Sequence, residues 1–397
     1  MKARKIREGV FWVGAVDWDR RLFDSLIALP HGTSYNSYLV RGSEKTALID
    51  TVDPPMSSVL LSRLDECGIE VLDYVVANHA EQDHSGALPE VLARFPEAKV
   101  VCTSSAKKML VELLRIQDDR FITVDDGQRI ALGDKTLQFI HTPWVHWPET
   151  MVTYLPEERI LFSCDFFGSH VATSKLYAGD DQLVCEATKA YYAQLMMPFR
   201  AAIRRNLDKI AGYPVDLIAP SHGPIHDRPG RIIELHRGWV SDRLGNTVVL
   251  PYVSMHGSTE AMVDYLAEAL AEGGVGVDRF GLAVPDLGKL AVALVDAATI
   301  VIGSPTVLAG AHPHVVSAVF LVNALRPKVR FAAIIGSYSW GGKMVEQITG
   351  LTPNLKLELL EPVISRGYPK AEDFTALDRL AGEIAAKHRQ LDLDPAV

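Results

Sequence analysis

Seven potential metal ligands stand in an order that few unrelated chains would share. Four of them fall within the six-residue run 79–84 and three come later: His79, Glu81, Asp83, His84, His146, Asp165 and His226. The set offers four imidazoles, three carboxylates and no thiolate, which is more ligands than one tetrahedral zinc takes. This composition predicts a pair of redox-active metals, and iron is the metal that it favours.

The run 79–84 directly follows the apolar stretch 71–77, so it is predicted to lie on the loop that leaves a buried strand. On an extended backbone alternate residues point the same way, so we expect His79, Glu81 and Asp83 to share one side of this loop. The alternative is a polar loop whose histidines only cap the following helix, because short motifs also occur by chance.

The three later ligands each follow an apolar, strand-like segment: 137–141, 160–163 and 215–219. A buried carboxylate is costly unless a cation or a helix terminus faces it, so Asp165 is the most informative of the three. Each histidine alone is equally consistent with an ordinary hydrogen-bonded core residue. His222 also competes with His226 for the ligand role, since both follow the same segment.

The composition is that of a globular protein with two domains. The chain has 397 residues, of which 48% are hydrophobic and 22% charged, and this length exceeds one ordinary domain. The formal charge of −9 argues against a nucleic-acid surface. No apolar run is long enough to cross a membrane, and the N-terminal segment is not a signal peptide, so we expect a cytoplasmic protein.

The four cysteines are scattered and contain no C-x-x-C pair: Cys67, Cys102, Cys164 and Cys185. This spacing argues against a rubredoxin-type or ferredoxin-type iron centre within the chain. Disulfides are not expected in a reducing compartment. Any electrons that reach the predicted metals therefore come from an external donor.

The pattern of predicted elements changes between residues 245 and 246. Residues 1–245 cluster short strand-like segments with helices between them, which predicts an αβ/βα sandwich that includes one long helix at 182–211. Residues 246–397 alternate strands and helices, which is typical of a flavodoxin-like, doubly wound parallel sheet. Its five strands are predicted at 247–253, 277–282, 299–303, 330–335 and 356–360.

Three strand ends of the second domain carry small and hydroxyl-bearing residues. Ligands of such folds bind at the carboxyl ends of the strands, and the first loop leads into a helix whose N-terminus suits a phosphate. The loop has no Walker lysine and no G-x-G-x-x-G pattern, so flavin mononucleotide (FMN) fits best. The alternative for this loop alone is a turn rich in capping residues. The predicted flavin-binding residues are Ser254, Met255, His256, Gly257, Ser258, Thr259, Ser304, Pro305, Thr306, Val307, Ser337, Tyr338, Ser339, Trp340 and Gly341.

The ligand order and the predicted sandwich resemble the metallo-β-lactamase superfamily, whose loops supply metal ligands in this order. Glu81 stands where that superfamily usually has the second histidine of His-x-His-x-Asp-His, and a carboxylate favours iron over zinc. Together with the flavodoxin-like domain, this makes nearly the whole chain similar to the flavodiiron proteins, also called A-type flavoproteins. The resemblance implies two iron sites bridged by Asp165: His79, Glu81 and His146 in one, and Asp83, His226 and, in some members only, His84 in the other.

The resemblance also implies a function, which is reduction of dioxygen to water, of nitric oxide to nitrous oxide, or of both. The first reaction takes four electrons and the second takes two, which a diferrous pair and a reduced flavin supply together. The implied donor is rubredoxin or a reduced deazaflavin coenzyme. A head-to-tail homodimer, or a dimer of dimers, would bring the FMN of one chain to the irons of the other. His84 is expected to tune gas access or proton supply.

Two departures from the commoner flavodiiron pattern concern the flavin loops. His256 stands where an aromatic residue or threonine is frequent, and Leu308-Ala309 replace an asparagine pair. They concern the hydrogen bonding of the flavin and its preference among electron donors. The main alternative function is a zinc-dependent metallo-hydrolase in which zinc activates water, and a metal-free electron shuttle is the second. Glu81 and the flavodoxin-like half argue against the hydrolase.

Overall fold

The computed structural model describes residues 2–393, which fold into two compact units. One unit holds the residues up to Tyr192 together with Phe199–Val240. The other holds Ala193–Pro198 and the residues from Ser241 onward. None of the helices between residues 2 and 393 is both long enough and apolar enough to cross a membrane.

Two sheets form the first unit. In spatial order, the seven strands of the first sheet are Arg4–Arg7, Val10–Trp12, Tyr38–Arg41, Thr46–Ile49, Tyr74–Val76, Lys99–Cys102 and Phe121–Thr123. The five strands of the second are Arg129–Ala131, Thr136–His141, Met151–Leu155, Ile160–Cys164 and Leu217–Pro220. Two further pairs lie outside these sheets: Ala15–Asp17 with Thr33–Tyr35, and Leu22–Phe23 with Ile27–Ala28.

The two sheets pack face to face because alternate residues of their strands are large and apolar. One continuous buried cluster takes Tyr38 and Val40 from the first sheet and Phe139 and Phe162 from the second. The helices of this unit are Ser57–Glu66, Gln82–Ser85, Leu88–Arg94, Ser104–Leu114, Gln182–Tyr191, Arg200–Ile210 and Pro229–Val240. The predicted αβ/βα sandwich is thereby confirmed.

The prediction of one long helix at 182–211 is wrong. The helix Gln182–Tyr191 ends in a π-helical turn, Tyr192–Met196, and a 3-10 turn, Met197–Phe199, before Arg200–Ile210 begins. Pro198 lies in this interruption. Because proline has no backbone N–H and its ring clashes with the preceding turn, it does not fit a helix interior.

The second unit is a parallel sheet with the strand order 2-1-3-4-5. In spatial order its strands are Gly276–Gly281, Gly245–Tyr252, Ala297–Val307, Phe331–Tyr338, and an edge position shared by Glu358–Leu359 and Val363–Arg366. Its helices are Ser258–Glu272, Leu287–Leu294, Pro313–Leu325, Met344–Gly350 and Ala371–Gln390. This order is that of a flavodoxin-like fold, which confirms the prediction. Pro362 lies in the gap that divides the edge strand, where a missing N–H is tolerated.

A buried histidine ties the last helix of this unit to its sheet. His388 Nδ1 lies 2.8 Å from Asn246 Oδ1, and its Nε2 lies 2.7 Å from Thr299 Oγ1. The neutral ring satisfies both contacts, because Nδ1–H donates to the amide oxygen and Nε2 accepts from the hydroxyl. Burial lowers the pKa of His388 to about 4.

This shift predicts a pH-dependent stability of the second unit. An unfolded histidine has a pKa near 6.5, so the neutral ring stabilises the fold fully above about pH 6.5, and this contribution is lost as the pH falls toward 4. His388→Ala at neutral pH leaves the buried Thr299 hydroxyl unpaired and the half-buried Asn246 amide without this partner, which should cost about 1–3 kcal/mol. Hydrogen exchange of the amides in strand Ala297–Val307 measures this. The exposed neighbour Arg389 is the control, and equal loss in Arg389→Ala would contradict the prediction.

Candidate functional site

The loops that leave four strand ends of the first unit carry the predicted metal ligands. His79 follows Tyr74–Val76, and Asp165 directly follows Ile160–Cys164. The run 79–84 is not extended, however. Glu81 is the N-cap of the short helix Gln82–Ser85, so the chain turns between Glu81 and Asp83. The expectation that His79, Glu81 and Asp83 share one side is therefore wrong, because the helical turn sends Asp83 to a different group of ligands.

The first group of ligands contains His79, Glu81, His146 and Asp165. The Nε2 atoms of His79 and His146 each lie 3.2 Å from Glu81 Oε2. The same two nitrogens each lie 3.5 Å from Asp165 Oδ2. Four ligand atoms from four loop positions thus surround one point.

The second group contains Asp83, His84 and His222, and it faces the other oxygen of Asp165. His84 Nε2 lies 3.2 Å from Asp83 Oδ2 and 2.9 Å from Asp165 Oδ1. His222 Nε2 lies 3.0 Å from Asp83 Oδ2 and 3.6 Å from Asp165 Oδ1. Asp165 therefore presents one oxygen to each group, which is the position of a bridging carboxylate. Tyr191 fixes this orientation, since its hydroxyl donates to Asp165 Oδ1 at 2.7 Å.

The hydrogen bonding within these groups shows that their residues suit cations. Several atoms are buried without a hydrogen-bond partner among the described residues, namely both carboxylate oxygens of Asp83, Asp165 Oδ2, His84 Nε2 and His222 Nε2. Ligand bonds of about 2.1 Å place neighbouring ligand atoms about 3.0 Å apart in an octahedral shell and about 3.4 Å apart in a tetrahedral one. The separations in both groups span these values. A metal ion in each group would therefore give a partner to the unpaired ligand atoms that face it.

The electrostatics lead to the same conclusion. Burial lowers the pKa of His79, but its hydrogen bonds to Glu149 and Glu81 outweigh this and raise the value to about 10. Burial is likewise outweighed by neighbouring carboxylates at His84, whose pKa rises to about 9, and at His146, where it rises to about 10. The carboxylates thus attract positive charge, which protons on the rings or metal ions between them can supply.

The histidine assigned to the second iron is corrected by the structure. His226 does not join the group, because its Nε2 donates to the backbone oxygen of Phe167 at 2.9 Å. Its backbone turns back to pair with Ile218, and burial lowers its pKa to about 4. His222 takes the place instead. Gly223 makes this turn possible, because its φ is +78° and a Cβ there would lie 2.1 Å from Ser169 Oγ.

Three positions that the sequence interpretation missed support the ligands from outside. Glu149 Oε1 lies 2.6 Å from His79 Nδ1, and the Ser34 carbonyl oxygen lies 2.6 Å from His222 Nδ1. Tyr191 is the third. His222 itself had a usable signal, since it follows strand Leu217–Pro220 by two residues whereas His226 follows by six. The supporting residues had none, because hydrogen bonds over such separations leave no spacing pattern.

Aromatic rings close one side of the metal-ligand groups. His170 lies 4.7 Å from the ring of His222 and 4.9 Å from that of Tyr191, and Phe23 lies 4.8 Å from His170. His170 Nδ1 contacts Thr33 Oγ1 at 2.8 Å, while its Nε2 is buried without a hydrogen-bond partner in the described structure. Burial holds the pKa of His170 well below its usual value, so the ring is neutral. This wall keeps bulk water away from the second group.

The predicted flavin residues lie at the carboxyl edge of the second unit's sheet. The loop after Gly245–Tyr252 leads into helix Ser258–Glu272, whose N-cap Gly257 has a φ of +85° and no side chain to cap the first turn. Ser254 Oγ accepts from the amides of Gly257 and Glu260, both at 3.2 Å. An anion at this helix N-terminus would face the remaining first-turn amides.

The other two flavin loops meet around a small cavity. Strand Ala297–Val307 continues past its predicted end, so Ser304, Thr306 and their neighbours are in the strand and not in a loop. The Ser304 hydroxyl is used internally, because it accepts from His312 N at 3.0 Å and donates to Pro305 O. A cavity of about 120 Å³ is lined by residues that include Thr306, Tyr338 and Gly341.

The remaining predicted flavin residues differ in exposure. Trp340 is 76% exposed and Met255 50% exposed, whereas Thr259 is buried and its hydroxyl lies 3.2 Å from Ser337 Oγ. Leu308 and Ala309 form the hairpin turn between strand Ala297–Val307 and Gly310–Ala311 with φ values of +49° and +62°. Asparagine and glycine adopt such values with less strain than leucine and alanine do, so this departure from the family pattern stores backbone strain beside the cavity.

Comparison with known proteins agrees with both halves of the fold. A family model described as "ODP family beta lactamase" matches residues 33–223. The "Nitric oxide reductase" of Moorella thermoacetica is 37% identical over 394 residues, which cover 96% of this chain and 98% of that protein. The "Type A flavoprotein fprA" of Rhodobacter capsulatus is 35% identical over 371 residues, covering 90% and 85% of the two chains.

A solved structure extends this similarity to three dimensions. The rubredoxin oxygen:oxidoreductase of Desulfovibrio gigas superposes with a TM-score of 0.92 at 29% identity, covering 98% of this chain and 99% of that one. The match spans both the sandwich and the flavodoxin-like sheet. The chain belongs to the flavodiiron proteins, the family also called A-type flavoproteins.

Proposed function

We propose that this protein reduces dioxygen to water, nitric oxide to nitrous oxide, or both, at a non-haem diiron site that receives electrons through FMN. The observation that carries the proposal is Asp165, whose two buried oxygens each face a separate group of nitrogen and oxygen ligands. A hydrolase that activates water at zinc has no need of the flavodoxin-like unit. When bound, the metals would supply electrons and open coordination positions to the gas, and the flavin would replenish the electrons.

The ligand assignment follows the two groups. His79, Glu81 and His146 would hold one iron, and Asp83, His84 and His222 the other, with Asp165 shared between them. Two ferrous ions bring four positive charges, which Glu81, Asp83 and Asp165 offset in part. A site with so little net charge can remain desolvated, and the attraction between its cations and carboxylates is stronger without water.

Residues around the metals would control water, orientation and protons. Tyr191 donates to Asp165 and so holds the carboxylate across both positions. Phe23 and His170 exclude water from one side. His84 Nδ1 has no hydrogen-bond partner within the described residues, so its ring is less anchored than that of His79. We therefore retain His84 as the ligand that also tunes gas access or proton supply, and its substitution should lower the turnover measured per bound iron pair.

The names of the relatives support the assignment of the two gases as substrates and of rubredoxin as one electron donor. The Moorella protein is named as a nitric oxide reductase, and the Desulfovibrio protein as a rubredoxin oxygen:oxidoreductase. Rubredoxin or a reduced deazaflavin coenzyme would deliver electrons to FMN from outside. FMN itself would bind at the loops 254–259, 304–307 and 337–341, with its phosphate at the N-terminus of helix Ser258–Glu272.

Exposed apolar side chains along one edge of the second unit's sheet support a functional dimer. Five large apolar residues follow different strand ends at the carboxyl edge of the second unit: Met255, Val284, Leu308, Trp340 and Tyr368, which are 50%, 87%, 89%, 76% and 64% exposed. We call this set the apolar rim. A patch of this kind usually marks an interface. We propose that it packs against the metal-bearing unit of a second copy, head to tail, in a dimer or a dimer of dimers.

Two further assignments complete the proposal. We keep the functional boundary between residues 245 and 246, which lies one residue into strand Gly245–Tyr252 and five residues after the division between the compact units at Val240 and Ser241. We propose a cytoplasmic location because all four cysteines are free thiols, as is common in a reducing compartment.

The function is tested by cofactor content and gas consumption. The purified protein should be yellow and contain FMN and about two irons per chain. After anaerobic reduction, it should consume dioxygen or nitric oxide catalytically, followed with gas electrodes and nitrous oxide chromatography. Zinc as the native metal, with hydrolysis of a lactam, thioester or phosphodiester and no gas consumption, would show instead that the protein is a metallo-hydrolase.

The choice between His222 and His226 gives a second prediction. His222→Ala should weaken iron binding at one position by at least about 10-fold, because it removes a direct ligand. His226→Ala should keep both irons and lose only the stability of one buried hydrogen bond, about 1–3 kcal/mol. Iron content of both variants, each checked for folding by circular dichroism, decides between them. Loss of iron from the His226 variant alone would restore the original assignment.

The apolar rim predicts how the dimer can be broken. Val284→Asp and Leu308→Asp each place a charge in the proposed interface, so the protein should become monomeric while retaining FMN. Electron transfer from reduced FMN to the metals should slow at least about 10-fold. Sedimentation velocity and stopped-flow absorbance measure the two effects. Phe320→Asp is the matched control. Phe320 is 64% exposed, but it lies within helix Pro313–Leu325 and does not follow a strand end. A dimer that survives both rim substitutions would refute this interface.

A further inference from the structure

A buried carboxylate outside both ligand groups contacts one of the metal-ligand histidines. Glu149 is 2% exposed and precedes strand Met151–Leu155. Its Oε1 lies 2.6 Å from His79 Nδ1 and 3.0 Å from the amide nitrogen of Ala80. Since a carboxylate only accepts hydrogen bonds, Nδ1 carries the proton and the lone pair of Nε2 faces Glu81 and the other first-group ligands.

The position of Glu149 is fixed by the surrounding backbone. Thr103 Oγ1 donates to the Glu149 carbonyl oxygen at 3.0 Å, and Met151 N donates to Asn78 O at 3.0 Å. The loop that carries Glu149 is thereby tied to the loop that carries His79. The backbone on both sides of Glu149 cannot shift away from the His79 loop without breaking these bonds, and the amide of Ala80 holds the carboxylate itself.

A structural hydrogen bond alone does not account for a charged residue here. Glu149 Oε2 is buried and has no hydrogen-bond partner among residues 2–393. Burying an ionised group with one oxygen unpaired is costly, and a neutral acceptor would orient His79 equally well. The negative charge of Glu149 therefore does more than orient the ring of His79: it also affects the electron density on that ring.

The two histidines of the second group, His84 and His222, lack this feature. His222 Nδ1 faces the neutral carbonyl of Ser34 at 2.6 Å. His84 Nδ1 has no hydrogen-bond partner in the described part of the chain. An anionic acceptor increases the electron density on the opposite ring nitrogen, whereas a carbonyl does so less and an absent acceptor not at all. The two metal positions are therefore electronically unequal.

We propose that Glu149 is a positioning residue that makes the position held by His79, Glu81 and His146 the tighter and more electron-rich of the two. The inference rests on the proposed diiron function. It assigns the inequality of the metal pair to a residue that is not itself a ligand. The first metal taken up by the metal-free protein is then the one bound beside Glu81.

The test is an anaerobic titration of metal-free, full-length protein with Fe²⁺, repeated with Co²⁺ so that its absorption spectrum reports each position. The wild type should bind in two steps. Glu149→Gln should weaken the tighter step by about 10–100-fold, leave the weaker step unchanged, and raise the midpoint potential of the iron pair measured by electron paramagnetic resonance. Glu149→Asp, which retains the charge, should recover part of the affinity.

Asp50→Asn is the matched control. Asp50 is also a 2% exposed carboxylate of this unit, but its oxygens accept from Asn78 N at 2.8 Å and Nδ2 at 2.9 Å and not from a metal-ligand ring. Any loss of affinity in this variant should fall on both steps equally, because it removes a buried charge without changing the acceptor of a metal-ligand ring. The inference would be overturned if Glu149→Gln, like Asp50→Asn, weakened the two binding steps by the same factor. Glu149 would then have no effect specific to the position beside Glu81.

The outcomes separate the inference from the function on which it rests. A wild type that takes up no pair of metals contradicts the proposed function. A wild type that takes up two, with a Glu149→Gln variant that titrates identically, contradicts the inference alone. If Glu149→Gln does not fold, Glu149→Asp decides, because it must retain stepwise binding with the tighter position still beside Glu81.

Discussion

Buried negative charge around Asp165 is the constraint on which the rest of the first unit depends. Asp165 is 1% exposed, and Asp83 and the partly buried Glu81 face the same small volume. Ionised carboxylates in such a place are unstable unless positive charge lies between them. Imidazole rings approach the oxygens of Asp83 and Asp165 to 2.9–3.6 Å without completing hydrogen bonds to them. The arrangement of these unpaired atoms is therefore suited to bound cations, and a pair of metal ions would provide their missing partners.

The sandwich tolerates this concentration of charge because the residues that stabilise the fold and the residues of the site lie in different places. The facing sheets bury a continuous apolar cluster, which supplies the stabilisation that the polar site does not. The site occupies the loops beyond the strand ends, so changes of ligand do not disturb the core. Bonds from Tyr191, Glu149 and the Ser34 carbonyl then hold individual ligand atoms in place. The flavodoxin-like unit repeats this division, with apolar clusters on both faces of its sheet and polar loops at one edge.

Much of the site could be predicted from the sequence because the ligands follow strand ends closely. His79, Asp165 and the others of the set of seven converge as expected, except His226. The spacing between a strand and its ligand carried more information than residue type did, as His222 shows. The side that Asp83 faces could not be predicted, because a four-residue helical turn has no recognisable pattern in so short a run.

The sequence by itself determined the two-domain order, the fold classes and the types of ligand, because periodicity and composition are local properties of the chain. Only the tertiary structure decided which oxygen of Asp165 serves which group, that His222 belongs and His226 does not, and that Glu149 lies against His79. These outcomes depend on contacts between residues far apart in the chain. Such contacts depend on how the sheets pack and where the loops turn. The spacing of residues within a single segment predicts neither.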